Sequence, residues 1–250
     1  MTFAQSQDAM RSALLLALAA CTAHSSAPHG DMPDAGLPAP TPDAGTDAAG
    51  DGGSDAAAQA VLWNTRADQA VHDMLMQFWS QSAVYLEAQS PSTSTDTGYW
   101  TFAQAYDAIL DGLQRSNGAE LRGWAEGMYD AQNTIGWSRD YYDDENWMTL
   151  ALLRAYELTG ESMFLTEAKA LYADIMAAWD TTCCGTHPGG IWWDRPHTQK
   201  ATAANAGPVI TGARLAAVTG DASYLTFAEQ VYAYWHANMV DPTTYAVTDH

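Results

Sequence analysis

The sequence predicts an all-α protein assembled from helical hairpins, and three observations carry that prediction. Beyond about residue 61, apolar side chains recur at the spacing of a helix face. No stretch alternates like a strand between hairpin turns. The second half of the chain also repeats itself at a constant offset of 60 residues. A hairpin of helices cannot bury its apolar face alone, so repeated hairpins mean a solenoid or a closed toroid.

The first 58 residues stand outside that fold. Arg11 precedes the apolar run Ala13-Leu14-Leu15-Leu16-Ala17-Leu18-Ala19-Ala20, and Cys21 follows. A basic residue, an apolar run too short to span a bilayer and small residues before a cleavage point describe an export signal over residues 1–21. Leu18-Ala19-Ala20-Cys21 resembles the bacterial lipobox, which implies lipidation of Cys21. The protein is then exported, and either anchored by lipid to the bacterial cell envelope or extracellular. The bland alternative is an ordinary signal with an incidental cysteine. Residues 22–58 are Ala, Asp, Gly, Pro, Ser and Thr with almost nothing to bury, and Pro-Asp-Ala-Gly occurs there twice. That composition predicts a disordered, extended tether.

Charge narrows the partners. The chain carries a formal net charge of -20, and residues 59–250 alone hold 23 acidic against 9 basic side chains. A nucleic acid or an anionic lipid surface needs a basic footprint that is missing here, so membrane contact falls to the lipid anchor alone. A neutral ligand fits better.

The helices follow in order. Val71, Met74, Leu75, Phe78, Ser82, Tyr85 and Leu86 trace one face of a first helix, which Ser90-Pro91 and the polar run after it break. Tyr99 to Ser116 is a second, with Ala103, Tyr106, Leu110 and Leu113 inward and Asn117-Gly118 as its stop. A third covers about Glu120 to Gln132, and the run Met148 to Thr159 is strongly helical. The repeat then sets Leu158-Thr159-Gly160-Glu161 against Val218-Thr219-Gly220-Asp221, and Arg154 against Arg214. Each unit is a helix stopped at Thr-Gly, a tight turn and an amphipathic helix. The glycine suits a helix C-terminus, and the acid suits the start of the next helix.

Two stretches carry chemistry. Tyr141-Tyr142-Asp143-Asp144-Glu145-Asn146-Trp147 places adjacent carboxylates at a helix start, among aromatic rings. Acids there can be mere caps and dipole partners, or they can be a catalytic pair beside sugar-binding platforms. Between the hairpins, Thr181 to Lys200 is dense in Gly, Trp and Pro, including Gly189-Gly190-Ile191-Trp192-Trp193-Asp194. A long loop with paired tryptophans is a binding loop more often than a connector. Ten Trp and twelve Tyr, many beside Gly or Asp, favour carbohydrate over a simple core plug. Cys183-Cys184 could close a vicinal disulfide, but two thiols are the expectation. Cys183, Cys184 and His187 match no closed zinc set, so no metal and no cofactor is expected.

Together these residues resemble glycoside hydrolase family 76. The resemblance is carried by Asn133, Tyr142-Asp143-Asp144 with Trp147, Ala151 to Gly160, Gly189-Gly190-Ile191-Trp192-Trp193, Lys200, Asn205 and Leu215 to Leu225. It covers about residues 65 to 250 and implies an (α/α)6 toroid over residues 59–250. It also implies endo-α-1,6-mannanase activity on yeast-type mannan. By the same likeness Asp143 is the nucleophile and Asp144 the general acid/base, with Tyr142, Trp147, Trp192, Trp193, Asp194, Lys200 and Asn205 at the substrate. Retaining glycosidases need carboxyls only ~5–5.5 Å apart, which consecutive residues can supply. Two departures touch substrate detail: Ala201 stands where the family usually has Asn, and Met148 follows Trp147 where a second Trp is usual.

Residues 59–250 leave room for about seven helices, fewer than the toroid holds, and the chain is expected to be the N-terminal part of a domain that is monomeric at full length. Rival readings are another toroidal carbohydrate enzyme, exo-acting or transglycosylating, and a non-catalytic glycan-binding protein.

Overall fold

The computed structural model describes residues 52–91, 96–183 and 188–249. The export signal with Cys21, the tether up to residue 51, Cys184 and His187 lie outside the described residues. Among the described residues the architecture is predominantly helical: α1 (Gly52–Phe78), α2 (Tyr99–Ser116), α3 (Ala119–Ile135), α4 (Tyr142–Thr159), α5 (Ser162–Ala177), α6 (Thr202–Thr219) and α7 (Ala222–Met239). None of these helices is long and apolar enough to cross a membrane. The chain divides into two compact units at Trp63/Asn64. Of the first, residues 52–63 are helical, and those from Asp55 to Trp63 are exposed.

Consecutive helices pair as hairpins, α2 with α3, α4 with α5 and α6 with α7, and α4 lies between α2 and α6. The 60-residue repeat is visible in the joints. Gly160 and Gly220 take left-handed conformations, φ 77° and 74°, and their N–H groups donate to Tyr156 and Ala216. The hydroxyls of Thr159 and Thr219 each donate back to the fourth carbonyl before them at 2.7 Å, and each accepts from the N–H two residues on. Identical residues close identical turns, because only a residue free of Cβ strain reverses the chain cheaply there. The paired arginines do equivalent work. Arg154 on α4 reaches back to Asp107 and Asp111 on α2, and Arg214 on α6 reaches back to Glu157 on α4.

The core is apolar and fills the space between hairpins. Phe102, Tyr106, Ile109, Leu110 and Leu113 of α2 meet Met128 of α3, Met148, Leu152 and Leu153 of α4, and Phe164, Tyr172 and Ile175 of α5. Asn117, with φ 48°, stops α2 by donating its N–H to Leu113 at 2.7 Å, as Asn117-Gly118 predicted.

Three boundaries differ from expectation. The first helix was expected to run on to Leu86, but it ends at Phe78 and a small antiparallel pair follows, β1 (Trp79–Ser80) with β2 (Tyr85–Leu86). The turn closes when Val84 N–H donates to Ser80 O (2.8 Å) and Ala83 N–H to Ser80 Oγ (3.2 Å). Packing decides it: the hairpin stacks Tyr85 on Phe102 and sets Trp79 edge-on to Trp124, contacts a straight helix would forgo. Apolar spacing alone cannot separate these outcomes. At the other end, α1 begins at Gly52, inside the stretch expected to be tether up to residue 58, because Ala56-Ala57-Ala58 are the best helix formers available. Finally, α4 begins at Tyr142, so the acidic residues lie inside its first turn rather than ahead of it.

Candidate active site

The site forms where the loop between α5 and α6 lies against the start of α4. Two stitches fix that loop. Near α5, Trp179 bridges Ile191, with Trp192 N–H donating to Ala178 O (3.2 Å). Near α4, Tyr141 bridges Asp194, Tyr142 N–H donates to Trp193 O (2.9 Å) and Arg195 N–H donates to Asp140 O (3.0 Å). The strand-like segment 193–195 therefore runs antiparallel to 140–142, and carries Trp193 over the first turn of α4.

Three residues expected at the substrate instead hold this loop from within. Asn205 is fully buried. It accepts from Ile191 N–H (2.8 Å) and donates to Ile191 O and Ala201 O (3.0 and 2.9 Å), so its amide is spent on protein. The ammonium of Lys200 is buried among the carbonyls of Cys183 (2.6 Å) and Gly189 and the carboxylate of Asp180 (3.5 Å), with the rings of Trp192 and Tyr234 beside it. Asp194 accepts from the N–H and hydroxyl of Thr198. A buried polar group needs such partners, and these three have found theirs inside the fold. Gly190 completes the loop: φ is +91°, and a Cβ there would overlap the Tyr234 ring. The expectation of two thiols at 183 and 184 is corrected at Cys183, which is disulfide-bonded.

Tyr142, also expected at the substrate, is likewise held within the fold. It is buried under the Arg195 guanidinium, 4.9 Å above its ring, and its hydroxyl accepts from Arg195 at 3.3 Å. The rings that do face outward are Trp147, 41% exposed, and Tyr141, which packs on Trp193 at 4.6 Å. Trp192 is partly buried and stacks flat on His197, 4.8 Å between centroids.

The carboxylates themselves are brought together and made unequal. Asp143 and Asp144 are consecutive in the first turn of α4, where the unpaired N–H groups favour negative charge. Neither is the N-cap, which is Tyr141 and makes no side-chain cap. Asp143 Oδ2 accepts from the indole Nε1 of Trp193 at 3.0 Å, and its Oδ1 accepts from Asp144 N–H at 3.0 Å. Burial raises the Asp143 pKa, and these two hydrogen bonds oppose the rise. Asp144 has no such relief. Burial, then the neighbouring Asp143 charge, pushes its pKa up to about 6. Two carboxyls whose surroundings separate their acidities are the arrangement acid–base chemistry needs: Asp143 ionises first and Asp144 keeps its proton nearer to neutrality.

Sequence reasoning missed the layer behind this pair. Glu145 is fully buried; its Oε1 accepts from Arg139 N–H (2.7 Å) and Arg195 Nη2 (2.6 Å). Arg195 also reaches Asp174 and Ser138. Helical spacing offered a signal, since Glu145, Met148, Thr149 and Leu152 share one buried face. Among the described residues no group of three acidic, histidine or cysteine side chains is placed to hold a metal ion.

No curated protein matches the sequence. Several solved structures share the fold. The Lin0763 protein from Listeria innocua is 25% identical with a TM-score of 0.67, over 75% of this chain and 56% of that one. An inactive variant of the α-1,6-mannanase GH76A of Salegentibacter sp. HEL1_6, with two consecutive aspartates changed to asparagine and bound to α-1,6-mannotriose, is 20% identical with a TM-score of 0.67, over 75% and 55%. Dfg5 from Chaetomium thermophilum, in complex with glucosamine, is 20% identical with a TM-score of 0.60, over 74% and 51%. The chain thus spans little more than half the length of these structures. The family model of glycosyl hydrolase family 76 matches residues 63–250, three quarters of the sequence, and the chain belongs to that family.

Proposed function

We propose that this protein is a glycoside hydrolase that cleaves α-1,6-mannosidic bonds of mannan by a retaining double displacement. The observation that carries the reading is the pair Asp143–Asp144 at the start of α4, with the Trp193 indole on the first carboxylate only. Asp144, whose raised pKa of about 6 keeps its proton available well above the ordinary carboxyl range, gives that proton to the leaving glycosidic oxygen as that bond breaks. An Asp143 oxygen attacks the anomeric carbon and forms the glycosyl ester. Asp144, now ionised, takes a proton from water, whose oxygen displaces Asp143 and restores the starting anomer. Consecutive side chains suit the short separation this route requires. The exposed ring of Trp147, one turn from the carboxylates, offers a flat apolar face for the sugar. Support also comes from the Salegentibacter mannanase, whose variant lacking two consecutive aspartates is inactive yet holds α-1,6-mannotriose.

Export, with Cys21 as a lipid anchor, belongs to the same proposal, since a polymer of this size is met outside the cell. The deciding experiment is incubation of the full chain with linear α-1,6-mannan. Ladders of mannooligosaccharides support the reading. Release of mannose alone or transfer products mark a different carbohydrate enzyme, and binding without products marks a glycan-binding protein.

A further inference from the structure

We infer that Arg195, anchored by the buried Glu145, is a positioning residue that holds the indole of Trp193 on Asp143. The inference rests on the reading of Asp143 as the nucleophile and goes one layer behind it.

The indole is only as well placed as the segment that bears it. Two backbone hydrogen bonds, Tyr142 N–H to Trp193 O and Arg195 N–H to Asp140 O, join 193–195 to 140–142. So short a ladder is marginal by itself. Arg195 clamps it from behind. Its Nε donates to Arg139 O (2.5 Å), and its Nη2 to Ser138 Oγ (2.6 Å), Glu145 Oε1 (2.6 Å) and Asp174 Oδ2 (2.5 Å). One guanidinium therefore ties the loop before α4, the first turn of α4 and the body of α5 to the residue two places after Trp193. The two hydrogens of Nη2 are shared among its three acceptors, and the rigid fork of arginine brings Nε and Nη2 to all of these groups from one plane, which no other side chain can.

Glu145 is the anchor. Its side chain is fully buried and its Oε2 has no hydrogen-bond partner, an arrangement that costs free energy an apolar residue would not incur. What the carboxylate contributes is at its other oxygen, where Arg139 N–H and Arg195 converge. Glu145 is also adjacent to Asp144, so the anchor and the reacting pair share one helical turn.

The charged groups around these sites bear on any titration. Asp143 faces Asp144 on its own helix and Asp249 from the C-terminal segment. Glu145 faces Arg139, Arg195, Asp174 of α5 and the Tyr99 hydroxyl of α2. Arg195 touches Glu145 and Asp174 but not Asp143, so the Trp193 indole signal is the readout that separates a route through the loop from one through the shared helical turn.

The test uses the full chain labelled with 15N at tryptophan indoles, with the Trp193 signal assigned by its loss in Trp193→Phe. In the unmodified protein this indole proton should lie downfield and titrate with the Asp143 carboxyl. In Arg195→Met it should move upfield and stop titrating while the helical circular dichroism stays unchanged; Glu145→Gln should move it the same way by less. On mannan, the acid limb of the kcat/KM profile should rise by about half to one pH unit in Arg195→Met, because a hydrogen bond to the ionised form has been lost. Should Arg195→Met not fold, Arg195→Lys, which cannot span the same acceptors, is read in its place. A folded variant whose Trp193 signal and titration match the unmodified protein would overturn the inference. Absence of hydrolysis by the unmodified chain would instead overturn the functional reading, and the indole signal would still decide whether the clasp acts on Asp143.

Discussion

The indole nitrogen of Trp193 lies 3.0 Å from Asp143 Oδ2, fifty residues away in sequence, and no comparable donor reaches Asp144 among the hydrogen bonds of the described residues. With the Asp144 N–H bond to Asp143 and the Asp143 charge beside Asp144, this contact makes two chemically identical side chains a more acidic and a less acidic member. Trp193→Phe keeps the ring and removes the donor. It should lower kcat/KM by about 10- to 100-fold, the value of a hydrogen bond to a charged group at 1.5–3 kcal/mol, and raise the pH at which the acid limb turns. An unchanged pH profile would show that the indole is only a sugar platform.

The inequality has a thermodynamic counterpart. Asp144 has a folded-state pKa of about 6 against an ordinary value of 3.8, so the folded protein holds this proton more tightly than the unfolded chain. Its contribution to stability is complete below about pH 4 and is lost as pH rises through about 6; above that the ionised carboxyl costs on the order of 2 kcal/mol. Asp144→Asn should therefore raise the melting temperature at pH 7 by several degrees, less a small loss of favourable charge at the helix start. At pH 4 it should raise it hardly at all. Melting curves at the two pH values decide this, and an equal shift at both would refute the assigned cause.

Much of this was legible in the residues because local rules and tertiary packing agree. Gly160 and Gly220 stop their helices as the repeat required, and the helix Tyr99–Ser116 has the bounds its apolar spacing gave it. Legibility failed where packing alone decides. Tyr85 and Leu86 continue the helical stripe of Val71 and Leu75, yet they leave it to stack against Phe102. Lys200 and Asn205 look like sugar ligands by residue type. Their burial assigns them to the loop, because a side chain that has spent its donors on Gly189, Cys183, Ile191 and Ala201 has none left for a substrate. The Arg195–Glu145 pair joins residues 50 apart, and no local pattern announces it.

Gly190 offers a structural test of the loop. Its φ of +91° is strained for any L-side chain, and a Cβ would overlap the Tyr234 ring. Gly190→Ala should destabilise the protein by roughly 1–3 kcal/mol and displace Trp192 and Trp193, lowering activity more than the loss of stability explains. Tyr234→Ala in the same chain should recover part of the stability by making room. A neutral Gly190→Ala would mean that the loop has another conformation of equal energy.

The anchor is tested separately. With Cys21 lipidated, the protein should partition into detergent and incorporate a palmitate analogue, and Cys21→Ala should abolish both. A Cys21→Ala variant that stays equally membrane-bound would remove lipidation from the proposal without touching the enzyme.

The division of labour between the aspartates gives the most direct check on the chemistry. With Asp143 as nucleophile and Asp144 as acid/base, the first-formed product is the α-anomer, visible by proton NMR before mutarotation mixes the anomers; initial β-product would exclude the double displacement. The two variants should also fail differently. Asp143→Ala removes the atom that bonds to the sugar, so a better leaving group cannot help it. Asp144→Ala removes only the proton that the leaving oxygen needs, so an aryl mannoside with a good leaving group should recover part of its first step. Azide, which needs no general base, should then release α-mannosyl azide from the trapped ester of the Asp144 variant alone. If both variants fold and keep activity within about tenfold, roughly 1.4 kcal/mol of barrier, the pair is only a charged helix start and the proposal fails at its centre.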